Sequence, residues 1–191
     1  MNITISKPRV SEGDFNEVCR RLDNMNLNLE LTKEGMIRMM TPAGNNSSEA
    51  NSEITTQLRL WWRTHRQGRT YDSNTLFTLP DGSKLGPDAA YVSAERLAAV
   101  PREALRAFAP VVPNFIIELL SKTDSLAEAQ KKMGDWMDND VELGWLIDPY
   151  KRTSYLYAAG QHFTSAANKL HGIGPMTGFA LDLTEVWRAY E

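Results

Sequence analysis

Asp88, Glu118 and the pair Lys131-Lys132 are charged residues set beside apolar ones. Asp88 follows Gly86-Pro87 at the head of "DAAYV", and Glu118 interrupts the apolar run "FIIELL". A carboxylate enclosed without a partner loses several kcal/mol of solvation or takes up a proton. Two carboxylates brought together repel, and a hard divalent cation such as Mg2+ relieves that repulsion through oxygen ligands while keeping several waters. A cation held this way stabilises charge on a phosphate oxygen and makes a water nucleophilic, and a nearby lysine can orient that water. Two acids and a lysine on a sheet edge would therefore suffice for hydrolysis of a phosphodiester. Plainer readings stand beside this one. Asp after Pro often closes a turn, an acid in a strand can pair with a core arginine, and helix lysines are usually solvated.

The segment after Glu118 reads as a helix from about 124 to 139, capped by Thr123 or Asp124, with Ser121 in the turn. At about 100° per residue, Leu126, Ala129, Met133, Trp136 and Met137 define its apolar face. Lys132 lies about 100° from the centre of that face and Lys131 about 160° away. Lys132 is therefore the lysine whose long stem can lie along the core and bring its ammonium to the sheet. Gln130 occupies the other shoulder, about 60° off centre, where it could orient substrate or hydrogen-bond the sheet. Glu49 and Glu53, one turn apart on an earlier helix, are secondary acids that could join the group or simply face water.

Other elements must position these residues. "LNLEL" (27–31) and "GMIRMM" (35–40) read as an N-terminal β-hairpin. "TPAGNNSSEANSE" gathers turn formers, with Ser47 or Ser48 as a cap and Glu49 in the first turn of a helix over roughly 48–66. Ile54, Leu58 and Trp61 or Trp62 keep helical spacing on one face of it. Strands near 70–79 and 88–93 flank the turn "PDG". "SAERLAAVPREALRAFAP" is helical with a break at Pro101. "LGWLIDP" and "TSYLYAAG" read as strands around the turn "DPYKR", and "GFALDLTEVWRAY" as a short strand with a final helical turn. Trp61, Trp136 and Trp145 sit at apolar positions, as core residues do. Alternating strands and helices, two strands being continuously apolar, predict an α/β (α+β) chain with a central mixed sheet covered by helices.

Composition narrows the function. The 191 residues are 42% hydrophobic and 24% charged, which suits one domain over 1–191 with its own core. A single cysteine, Cys19, builds no intrachain disulfide or cysteine zinc site, and His65, His162 and His171 fit no metal-ligand spacing. No apolar run is long enough to cross a membrane, and "MNITISKPRV" lacks the marks of a secretion signal, so the expectation is a cytoplasmic protein. Net charge is −3, so binding nucleic acid would need local placement of positive charge, a metal ion or a partner. No glycine-rich phosphate cradle is present to favour a small phosphorylated substrate.

"GPDAAYVS" followed by "PNFIIELLSKTDSLAEAQKKMGDWMDNDVELGWLIDP" resembles the large bacterial family of Uma-type restriction endonucleases, and "NSEITTQLRLWW" and "FTLPDGSKLGPDA" resemble that family's first helix and first hairpin. The resemblance is strongest over roughly 40–160. It implies the restriction-endonuclease-like fold of the PD-(D/E)XK superfamily, with a central mixed β-sheet flanked by helices. It also implies Mg2+ or Mn2+ held by Asp88 and Glu118, and DNA as the target. The superfamily's lysine, two positions after the second acid, is Leu120 here. The resemblance puts Lys132 in its place, the residue that the helical-face argument selects. Two readings follow: a Mg2+-dependent endodeoxyribonuclease, expected as a homodimer because two symmetric sites cut two strands, or a binding or assembly protein that keeps the fold without turnover.

Overall fold

The computed structural model describes residues 3–5, 9–22, 28–40, 43–106, 108–158 and 160–191. Strands β1 (Ile3–Ile5), β2 (Asn28–Leu31) and β3 (Ile37–Met40) enclose helix α1 (Glu12–Leu22) in sequence. Next come α2 (Asn45–His65), β4 (Arg69–Asp72), β5 (Phe77–Thr78), β6 (Lys84–Leu85), β7 (Ala89–Val92) and α3 (Ala94–Ala98). A 3-10 turn at Ala104–Arg106 leads to β8 (Phe115–Leu119), α4 (Leu126–Asp138), β9 (Leu143–Asp148) and β10 (Thr153–Ala158). The chain closes with β11 (Gln161–Ser165), β12 (Lys169–His171), β13 (Ala180–Asp182) and α5 (Leu183–Arg188). Leu27, Thr41, Pro42, Ala107 and Ala159, which belong to expected elements, lie outside the described residues.

The larger sheet has six strands in the order β11-β10-β9-β8-β7-β4. It is mixed: β8 and β9 run parallel, and every other neighbouring pair is antiparallel. Parallel neighbours need a long crossover, and α4 supplies it. A second sheet, β1-β3-β2-β6-β5, is antiparallel throughout and contains the expected N-terminal hairpin, with Leu31 opposite Ile37.

Alternation along β8 decides what faces what. Phe115, Ile117 and Leu119 pack with Ala50, Ile54 and Leu58 of α2 and with Val186 and Trp187 of α5. Ile116 joins Met133 and Trp136 of α4 on the opposite face. Glu118, two residues on from Ile116, therefore points to the α4 face. Helix α4 sits close to the sheet: a Cβ added at Gly144 would come within 2.5 Å of Met133 Cε, so glycine leaves room for that methionine. A third, smaller core joins Phe15 of α1 to Leu29, Leu31 and Ile37.

Four local expectations are corrected. Helix α2 begins after Gly44 without a side-chain cap, rather than at Ser47 or Ser48, so Glu49 falls in its second turn. Helix α4 begins after Ser125, while Asp124 accepts from the Ser121 amide in the preceding turn. The expected strand over 70–79 divides between sheets: β4 pairs with β7, and only β5 joins β6 around Pro80-Asp81-Gly82. Gly82 takes φ 84° there, a left-handed conformation that glycine adopts without a Cβ clash. Finally, the sheet edge at which the acids were expected is the end of strands rather than an outer strand, since β7 and β9 flank β8. Glu118 approaches open space because it is the penultimate residue of β8, at the strand end.

Candidate functional site

At the C-terminal end of β8 a cleft of about 2240 Å³ opens between the two sheets. Asp88, Glu118 and Lys132 all line it. Asp88 reaches it through backbone pairing: its amide donates to Ile117 O (3.0 Å) just before β7 begins. Its carboxylate then takes over an acceptor position at the end of the ladder, receiving the Leu119 amide at Oδ2 (2.7 Å). Asn51 Nδ2, on α2, donates to Oδ1 (2.8 Å).

Glu118 and Lys132 meet because strand alternation aims one at α4 and helix periodicity aims the other at β8. Lys132 Nζ lies 2.9 Å from Glu118 Oε1 and 3.1 Å from Oε2. It also donates to the carbonyl of Gly86 (2.7 Å), the glycine of Gly86-Pro87-Asp88. One turn further along α4, Trp136 Nε1 donates to Glu118 Oε1 (2.8 Å).

Two members of this group were not singled out from sequence. Glu30, on β2, lies 2.8 Å from Lys132 Nζ and accepts the Gly86 amide at 3.0 Å. Between Leu29 and Leu31 it reads as the wet face of an amphipathic strand. The available signal was its cross-strand partner Arg38, whose guanidinium stands 4.0 Å from Glu30 Oε2. Asn51 was passed over for the charged neighbours Glu49 and Glu53. Its Oδ1 is buried and accepts no hydrogen bond from the described residues.

The secondary candidates fall elsewhere. Glu49 is exposed, and Glu53 accepts from Gln57 on its own helix. Gln130 is half-buried on α4, and none of the three lines the cleft. Lys131 faces solvent near Glu34 (3.8 Å), as its helical angle predicts. Leu120 is buried beside the cleft, and its amide donates to Ile147 O.

Two buried carboxylates, Glu30 and Glu118, thus pair with Lys132, the half-buried Asp88 stands near without an ion pair to it, and the Arg38 guanidinium approaches Glu30 from the other side. Burial lifts Glu118 from 4.5 to about 8; Lys132 pulls against this, while Asp88 and Glu30 add to it. Burial also raises Asp88, against the Leu119 amide, Lys132 and Asn51. For Lys132, burial works against the ammonium, yet Glu118 and Glu30 hold its pKa above the ordinary lysine range. Burial and the neighbouring acids thus favour a proton on Glu118, while the same acids favour the charged form of Lys132. A divalent cation would relieve the repulsion between the acids equally well. The donors are all hard oxygens, with Asn51 Oδ1 uncommitted beside Asp88, which suits Mg2+ or Mn2+. Among the described residues no group of three or more His, Cys, Asp or Glu forms a ready-made cage. Mg2+ characteristically uses one or two carboxylates, completed by water and substrate phosphate.

No helix among the described residues is long and apolar enough to cross a membrane. No curated protein matches the chain. A solved structure from Anabaena variabilis ATCC 29413, described as "a putative nuclease belonging to DUF820", superposes with TM-score 0.70 at 21% identity. The match covers 85% of this chain and 91% of that one. The shared architecture is the restriction-endonuclease-like fold, a central mixed sheet flanked by helices. A family model, Uma2, described as "Putative restriction endonuclease", matches residues 13–173, and this chain belongs to that family.

Proposed function

We propose that residues 1–191 act as one metal-dependent endonuclease domain that hydrolyses DNA phosphodiester bonds in the cleft at the end of β8. The observation that carries this reading is the acid surplus: Asp88, Glu118 and Glu30 gather at Lys132, and among the described residues Arg38, beside Glu30, is the one further cation within ion-pair distance of any of them. Asp88 and Glu118 are the residues that would hold Mg2+ or Mn2+. When bound, such a cation supplies Lewis-acid stabilisation of the phosphoryl group and a more acidic water.

The protein's own groups have separable roles. Lys132 holds positive charge beside the reacting phosphate and fixes the Glu118 carboxylate. Its raised pKa and its bonds to Glu118, Glu30 and Gly86 make it a charge holder rather than a proton acceptor. Trp136 fixes the rotamer of Glu118 from the buried side. Glu30 positions Lys132 and the Gly86 amide together, so it acts through both and touches no substrate. Two copies related by a two-fold axis would cut both strands of a duplex.

A supercoiled-plasmid assay with Mg2+, Mn2+ or EDTA tests the reading. Cation-dependent nicking that disappears in Asp88→Asn, Glu118→Gln and Lys132→Met supports it. Leu120, an apolar residue where the superfamily resemblance calls for lysine, favours the alternative of a binding or assembly protein without turnover. Intact plasmid, single-stranded and branched DNA after prolonged incubation with either cation would decide for that alternative.

A further inference from the structure

The stretch from Arg59 to Arg69 carries Arg59, Arg63, Arg66 and Arg69, and no Asp or Glu occurs between Glu53 and Asp72. With the chain at −3 overall, this +4 stretch leaves −7 on the remaining residues. All four arginines are exposed. None of them lies within ion-pair distance of a carboxylate among the described residues. By contrast, Arg20, Arg96, Arg152 and Arg188 each hold a glutamate.

Two of these guanidiniums, those of Arg59 and Arg66, are held against the protein. Arg59 stacks on the Trp62 ring at 3.9 Å from its centroid and donates to Thr70 Oγ1 (3.2 Å). Arg66 approaches the same ring at 5.9 Å and donates to Arg63 O (3.0 Å). Trp62 is itself anchored, its indole N–H donating to Gly68 O (2.9 Å). Arg66 ends α2 in the left-handed conformation, φ 58°, which turns the chain into β4 and brings Arg69 in after it. Stacking lowers the entropy lost when a guanidinium grips a phosphate with paired N–H groups.

We propose that this arginine cluster is a docking surface for the phosphate backbone of duplex DNA, separate from the cleft. It rests on the nuclease reading for its choice of polyanion. Asn51, which holds Asp88, and Arg63 lie on one helix, about 18 Å apart by axial rise. That separation is about five base-pair steps at 3.4 Å each, and the two positions stand about 120° apart around the helix, so a duplex engaging both would pass along the flank of α2 rather than lie on one face of it. The cluster would supply the positive charge that the chain as a whole lacks.

The test is fluorescence anisotropy of a labelled duplex oligonucleotide, titrated in EDTA at several salt concentrations, so that no cutting is required. Wild type is compared with Arg63→Gln/Arg66→Gln and, as an independent pair, Arg59→Gln/Arg69→Gln, each checked for its melting temperature. Each lost phosphate contact lowers the slope of log affinity against log salt by about 0.9, so either pair should lower it by about 2 and weaken binding roughly tenfold. An unchanged slope in both pairs overturns the proposal. So does undetectable duplex binding by wild type, or arginine-dependent capture by anionic phospholipid vesicles in preference to duplex. Arginine-dependent duplex binding without plasmid cleavage upholds the surface while the nuclease reading fails. Plasmid cleavage with arginine-independent binding removes the surface alone.

Discussion

Two enclosed lysines line the same cleft, and their partners differ in kind. Lys84 donates to Thr78 Oγ1 (2.6 Å) and pairs with Glu12 Oε1 (3.0 Å), a carboxylate 61% exposed that reaches down from α1. One charge meets one charge, and the acid keeps most of its water. Lys132 meets two carboxylates, Glu30 and Glu118, both enclosed, with Asp88 adding its field from the end of β7. An ion pair that only ties elements together needs no surplus of buried acid, because each unmatched carboxylate costs solvation. Lys84 has the composition of a structural tie between α1 and β6, whereas Lys132 sits among three acids that it and Arg38 together do not balance.

The sharpest way to break this contrast is to remove each lysine in turn. Lys132→Met should lower plasmid cleavage by about three orders of magnitude, the scale of losing a preorganised electrostatic contact. Lys84→Met should keep the rate within a few-fold. Equal losses in the two variants would erase the distinction. Stability should separate them as well. Lys132→Met strands two enclosed acids and should cost about 3–5 kcal/mol in urea unfolding. Lys84→Met leaves Glu12 in water and should cost on the order of 1 kcal/mol.

The pH dependence of stability sharpens the comparison further. Glu118 titrates near 8 in the folded chain and near 4.5 when unfolded. Between those values the native chain holds a proton that the unfolded chain has released, so stability falls as pH rises through that window. The melting temperature of wild type should decline from pH 5 to pH 8 more steeply than that of Glu118→Gln. Parallel curves would show that Glu118 is ionised throughout. Mn2+ titration by calorimetry at pH 7, repeated in buffers of different ionisation enthalpy, should report release of a proton as the cation replaces it, and Glu118→Gln should remove that release. Among the residues of the site, the smallest loss of cleavage is expected for Asn51→Ala. Asp88 would lose one of its two hydrogen bonds, and cleavage should fall roughly tenfold, with the Lys132–Glu118 pair intact.

The centre of the sheet was legible in the sequence because β8 and β9 carry continuous apolar runs that only a doubly covered sheet buries, whereas the polar edge strand β11 gave no such signal. Helical periodicity separated Lys132 from Lys131 for a similar reason: 3.6 residues per turn fixes which side chain meets the core. What periodicity could not reveal was the company Lys132 keeps. Glu30 lies 102 positions earlier in the chain on a different sheet, and its alternation with Leu29 and Leu31 is equally that of a solvated strand face. Asn51 has no charge to mark it among the polar residues of α2, and helix phase alone ranked Glu49 and Glu53 no lower. Local pattern likewise misplaced both helix caps and joined β4 to β5, because turn-forming residues allow several boundaries and long-range pairing selects one.

The sequence by itself determined the N-terminal hairpin, the order of α2, β7, β8, α4, β9 and β10, their apolar faces and the family motif through Asp88, Glu118 and Lys132, since those depend on residue type and short spacing; β1, α1, β11 and β12 it did not mark. The tertiary structure alone decided that a second sheet lays Glu30 against Lys132, that Asn51 braces Asp88, and that the acids outnumber the ammonium. Charge balance in an enclosed space depends on which distant residues are folded into it, and no local periodicity encodes that.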